Sequence, residues 1–200
     1  MVRCFLIHTV CPVSALGPGD SRVLYSRVFG PEEAALSSEH RQLLPEERRL
    51  LSAEKLMLVA RQVHTAVSLT RQASARPPVE MAPGEEALAL QEADSGVVRL
   101  RAGDPFSEEM SALWFAVQSL AFVLVCEAHE NLLLAEGTLR NLTRHCLEHL
   151  HMLGPGSELL LKSDRIDVLL SRLLPHGQLL FLNHRFAQSL EKEVSAYMAK

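Results

Sequence analysis

The densest run of chemistry-bearing side chains is His145-Cys146-Leu147-Glu148-His149-Leu150-His151. On a helix, His145 and His149 fall at i and i+4, one turn apart, where two imidazoles can share a metal ion. Cys146 then points to another side, and no second cluster in the sequence supplies matching ligands. A polar helix face beside an apolar seam accounts for the same residues without a metal. His129-Glu130 opens like a zinc-protease motif, but Leu133 stands where HExxH requires its second histidine. The expectation is a chain without a metal site or cofactor.

Nucleophilic and phosphate chemistry are equally thin. The four cysteines, Cys4, Cys11, Cys126 and Cys146, form no CxxC pair and read as buried thiols of a reducing compartment. There is no GxxxxGK[ST] loop, no GxGxxG fingerprint and no GxSxG elbow, and Gly154-Pro155-Gly156 reads as a helix stop. Asn141-Leu142-Thr143 matches a glycosylation acceptor, yet it falls inside an amphipathic helical pattern. Glu39 to Leu44 and Glu46 to Leu51 match acidic-dileucine sorting signals, which arise readily by chance in a leucine-rich chain. No catalytic residue is expected, and the chain reads as a non-enzyme.

Composition agrees. A net charge of −4 and 5% aromatic residues argue against binding a phosphate backbone or stacking on single-stranded bases, so no nucleic acid partner is expected. Two hundred residues, 48% of them hydrophobic, suffice for one domain, residues 1–200, with a core of its own. The longest apolar stretch, Ala112 to Cys126, is shorter than the ~20 residues a membrane span needs. Gln118-Ser119 breaks it where a turn between two strands would fall. The apolar start, Cys4 to Ile7, is interrupted by His8 and Pro12 and reads as a buried first strand rather than a signal peptide, placing the chain in the cytoplasm.

The elements that must position these residues follow from periodicity. Val2 to Val10 and Arg22 to Phe29 are predicted strands, joined through Gly17-Pro18-Gly19-Asp20. Pro45-Glu46-Glu47 opens a helix running to about Gln72, with Leu56, Val59, Ala60, Val63, Ala66 and Val67 on its buried stripe. Residues 74 to 96, with Pro77-Pro78 and Pro83-Gly84, read as a flexible internal loop, most of it within 74–95. Strands are then predicted at Val97 to Arg101, Leu113 to Val117 and Leu120 to Cys126. A helix follows from Leu132 towards Leu153. The next is capped by Ser163, buries Ile166, Leu169, Leu170 and Leu173, and stops at Pro175-His176-Gly177. The last is capped by Asn183, with Phe186, Leu190 and Tyr197 inward. Leu58, Leu69 and Leu147 fall off the core stripes, a surplus of apolar helix surface that suits a subunit interface.

The order β-β-α-β-β-β-α-α plus a last helix is that of an α+β, longin-like fold: a five-stranded antiparallel sheet flanked by helices, one on one face and two on the other, with an extra C-terminal helix.

Four stretches are distinctive: His129 to Leu139, Leu174 to Asn183, Arg22-Val23-Leu24-Tyr25-Ser26 and Ala60-Arg61-Gln62-Val63. Through them the chain resembles the small (sigma) subunits of the fifth adaptor protein complex over nearly its whole length, least in 11–20, 30–45 and 74–95. The resemblance implies a non-catalytic subunit of a heterotetramer with two large subunits, zeta-type and beta-type, and a medium, mu-type one. It implies work without clathrin, in vesicle-mediated transport on late endosomes and lysosomes, in association with spatacsin and spastizin, and peripheral attachment to the membrane through the complex. Leu120 and Leu142 would lie near the dileucine cargo pocket of better-known sigma subunits. Gln118 stands where those relatives have a small residue, so the pocket is not carried over.

Two other readings of the same residues are a longin-type scaffold acting with a small GTPase or tether, and a Cys/His-dependent enzyme built on His145, Cys146 and His149.

Overall fold

A computed structural model describes residues 1–10, 21–29, 45–74, 84–103, 105–150, 162–181 and 184–198. Five strands, β1 (Val2–Thr9), β2 (Val23–Val28), β3 (Asp94–Leu100), β4 (Met110–Val117) and β5 (Leu120–Glu127), form one antiparallel sheet in the order β2-β1-β5-β4-β3. The helices are α1 (Pro45–Ser74), α2 (Glu86–Gln91), α3 (Leu132–Leu150), α4 (Ser163–Leu173) and α5 (His184–Met198), with a 3-10 turn at Pro175–Gly177 between the last two. This is the longin-like architecture expected from the element order.

Both faces of the sheet are covered, so β1, β4 and β5 are apolar runs without the usual polar alternation. The strand period of two divides them cleanly between two cores. On one face Phe5, Ile7, Phe115, Phe122 and Leu124 meet α3, α4 and α5. On the other Leu6, Trp114, Val123 and Val125 meet Val59, Ala60, Val63 and Val67 of α1. The α1 stripe is as predicted, with Ala66 only half-buried. Leu190 and Val194 bring α5 into the first core.

Gln118-Ser119 is a two-residue hairpin turn: Val117 pairs directly with Leu120, and Gln118 takes a φ of 52°. Positive φ at the first central position alone is the sign pattern of a type II′ turn, whose twist suits the flanking strands. Arg71, from the end of α1, donates to the Gln118 carbonyl oxygen at 2.7 Å and pairs with Asp94 of β3 at 3.2 Å. One guanidinium thereby ties α1 to the start of β3 and to the neighbouring β4–β5 turn, at one end of the sheet.

Five expectations need correction. The internal loop does not reach Gly96. Residues 75–83 lie outside the described set, but Ala87, Leu88, Ala89 and Leu90 are strong helix formers and make α2, whose Ala89 is 2% exposed against the first core. β3 starts at Asp94 rather than Val97, because Gly96 pairs with Trp114 and the indole occupies the space a side chain at 96 would take. Leu147 is fully buried, not surplus: α3 packs on the sheet, on α2 and on α4, so its buried arc is wider than one seam. Ser163 is the first helical residue of α4 and not its cap. Lys162 holds the cap position, makes no side-chain cap, and donates to the Leu150 carbonyl oxygen at 2.6 Å. Tyr197 is 48% exposed, since the buried stripe of α5 stops one turn earlier at Val194. The expected cap Asn183, the side chain of Phe186, Leu153, and the Gly154-Pro155-Gly156 stop lie outside the described residues.

Candidate functional site

The last two turns of α3 carry the residues singled out for chemistry. Leu142, Cys146 and Leu150 face the core and fix the helix's rotation, which brings His145 to its flank. His145 is only 3% exposed, and its Nδ1 has no hydrogen-bond partner. Its ring lies nearly parallel to that of His149, centroids 5.4 Å apart and planes 10° off. Burial pushes the His145 pKa down to about 4, helped by the charges of Arg144 and His149 and opposed by Glu191 of α5. Arg144 and Glu191 pair at 2.9 Å, linking α3 to α5 beside the histidines.

Glu148 is exposed and completes a cluster with the two histidines: one ligand atom from each lies within 4.8 Å of the others. The i, i+4 spacing pairs the histidines but gives Glu148 no role. The overlooked signal is the order His145-x-x-Glu148-His149, the reverse of HExxH, which a search for the forward spacing passes over. His151 lies outside the described residues.

Cys146 belongs to the core instead. It is 0% exposed, and burial pushes its thiol up to about 12. Cys126 is raised to about 12 as well, and Cys4 is raised further by burial. Thiols of this kind hold almost no thiolate at neutral pH, so none of the three supplies the activated nucleophile of a cysteine enzyme. Cys11 lies outside the described residues. His129 is exposed and sits 3.4 Å from Glu127 in the turn after β5, away from the α3 histidines.

Leu120 and Leu142, expected near a dileucine pocket, are 4% and 0% exposed and serve as core side chains. A small cavity of about 70 Å³ does open between β3, β4 and α3, lined among others by Ser95, Leu113, Phe115, Glu136 and Leu139. Neither Leu120 nor Leu142 lines it, and its volume is well under the roughly 300 Å³ at which small-molecule pockets begin. Among the described residues no helix is long and apolar enough to cross a membrane.

Comparison with known proteins gives one answer. The family model described as AP-5 complex subunit sigma-1 matches residues 1–195. The AP-5 complex subunit sigma-1 of Homo sapiens is 51% identical over 198 residues, covering 98% of each chain. That of Mus musculus is 43% identical over 158 residues, covering 78% of this chain and 92% of the relative. A subunit in a homology model of the full-length AP-3 complex in a stretched open conformation aligns at 13% identity and a TM-score of 0.48, covering 100% of this chain and 96% of that one. Adaptor small subunits are structural proteins and not enzymes. The chain belongs to the AP-5 complex sigma-1 subunit family.

Proposed function

We propose that the chain is a non-catalytic core subunit of a heterotetrameric adaptor complex, working in the sorting and retrieval of membrane cargo on late endosomes and lysosomes. It binds a large subunit and so stabilises the core of a complex made with zeta-type, beta-type and mu-type subunits. Spatacsin and spastizin join that complex, and the chain reaches the membrane peripherally through it.

The observation that carries this reading is family membership along the chain's length. The surface supports it: Leu50, Met57 and Leu69 of α1 are 67%, 45% and 60% exposed, and Leu133 and Phe181 are 83% and 90% exposed. Large apolar side chains in such numbers suit burial against a partner, as in permanent complexes.

Co-expression with and without the large adaptor subunits is the decisive experiment. The expected result is a higher yield of the chain with a partner than alone, and co-elution of the two as a stable complex. A stable monomer with no affinity for adaptor subunits overturns the proposal. Recovery of a small GTPase or tether in its place would establish the scaffold reading.

A further inference from the structure

We propose that His145, Glu148 and His149 form a binding site for a divalent transition-metal ion of the zinc class, in the last turns of α3.

The donor set is two imidazoles and one carboxylate, a combination zinc takes in sites that keep a fourth position for water. The three donors share one helix flank and span i, i+3 and i+4, so no long-range rearrangement is needed to gather them. Their ligand atoms lie within 4.8 Å of one another. Around a tetrahedral ion with bonds of about 2 Å, ligands sit roughly 3.3 Å apart, so the cluster must contract by at most about 1.5 Å. Glu148 is exposed and His149 half-buried, which leaves both free to turn towards the fixed His145 ring.

His145 supplies the second, independent observation. Its residue is 3% exposed, and its Nδ1 lacks any hydrogen-bond partner. A buried polar atom without a partner is destabilising and calls for an explanation. A metal bond made by this nitrogen supplies one. Among nearby charges Arg144 opposes a cation and Glu191 of α5 favours it; the two are paired with each other. An ion here would clip the end of α3, where Lys162 also takes the Leu150 carbonyl.

The test is zinc binding by the 200-residue chain, dialysed free of metal and then titrated with Zn²⁺ alone. Wild type, His149→Ala and Glu148→Gln are compared by equilibrium dialysis with elemental analysis, and by thermal melting with and without zinc. The expected result is one zinc per chain and a higher melting temperature with zinc. Affinity should fall roughly tenfold or more in either variant, losses at least as large as those seen when supporting residues of metal sites are removed. Zinc at background in wild type overturns the proposal. So does binding undiminished in both variants, which would place the ion on other residues such as Cys11. Should His149→Ala fail to fold, the exposed Glu148→Gln decides alone.

Discussion

Gly177 lies so close to Val2 that a Cβ at position 177 would sit 2.5 Å from the Val2 carbonyl oxygen. The same Cβ would meet Phe29 Cβ at 2.7 Å, and the residue's φ is +76°. The turn after α4 is thus wedged against the ends of β1 and β2, where only glycine fits. Gly177→Ala combines overpacking against backbone with a left-handed conformation, and should destabilise the chain by about 3 kcal/mol. At roughly 2–4 °C per kcal/mol for a domain of this size, a thermal melt of the variant reads the effect directly. A variant as stable as wild type would show that the turn can move away from β1.

Gly137 is the opposite case. It lies inside α3, exposed, and a Cβ built there meets nothing within 4 Å. Glycine in a helix interior costs roughly 0.5–1 kcal/mol relative to alanine. Gly137→Ala should therefore stabilise the chain by about that amount, measured as a shift in urea midpoint at unchanged slope.

The contrast between these two glycines marks how much of the molecule the sequence discloses. Local signals were legible: Gln118-Ser119 between two apolar runs gave the β4–β5 hairpin, and the spacing of Val59, Val63 and Val67 gave the buried face of α1. What stayed hidden depends on what stands opposite. Gly96 reads as a strand breaker until Trp114 is seen filling its place, and Leu147 reads as surplus until α3 is seen to be enclosed on more than one side. Gly177 reads as a helix stop, and nothing local says that β1 forbids a methyl group there. At the candidate site the histidine pair was legible from its i, i+4 spacing. The burial of His145 was not, since it follows from how Cys146 and Leu150 orient the helix on the core.

Arg71 and Asp94 should be energetically coupled. Their side chains are 28% and 19% exposed, so solvent screens the pair less than a fully exposed one, and Arg71 also holds the Gln118 carbonyl. A double-mutant cycle with Arg71→Ala and Asp94→Asn, followed by urea denaturation, should give a coupling of about 0.5–1 kcal/mol. Arg71→Ala alone should cost more than Asp94→Asn alone, because only the arginine substitution also releases the hairpin turn. Equal single effects would mean that the bond to Gln118 contributes nothing measurable.

His8 should make stability depend on pH. It lies on β1 with no exposed surface; its Nδ1 sits 3.0 Å from the Thr9 carbonyl oxygen, and its Nε2 has no partner. Nδ1 therefore carries the proton of the neutral ring and donates to Thr9. Burial pushes the pKa down from 6.5 to about 4; the bond to Thr9 opposes this and the charge of His64 on α1 adds to it. Between about pH 6.5 and pH 4 the unfolded chain takes up a proton that the folded chain refuses. Stability attributable to His8 is therefore complete above the unfolded value and lost as pH falls towards the folded one. With those two pKa values the loss from about pH 7.5 to about pH 5 is on the order of 2 kcal/mol. Urea denaturation at the two pH values, on wild type and His8→Gln, isolates the effect: the variant should lose less stability on acidification by about that amount, whatever its stability at neutral pH. Identical losses in the two proteins would show that the His8 ring is protonated within the fold without penalty, and so that water or a shifted His64 reaches its Nε2.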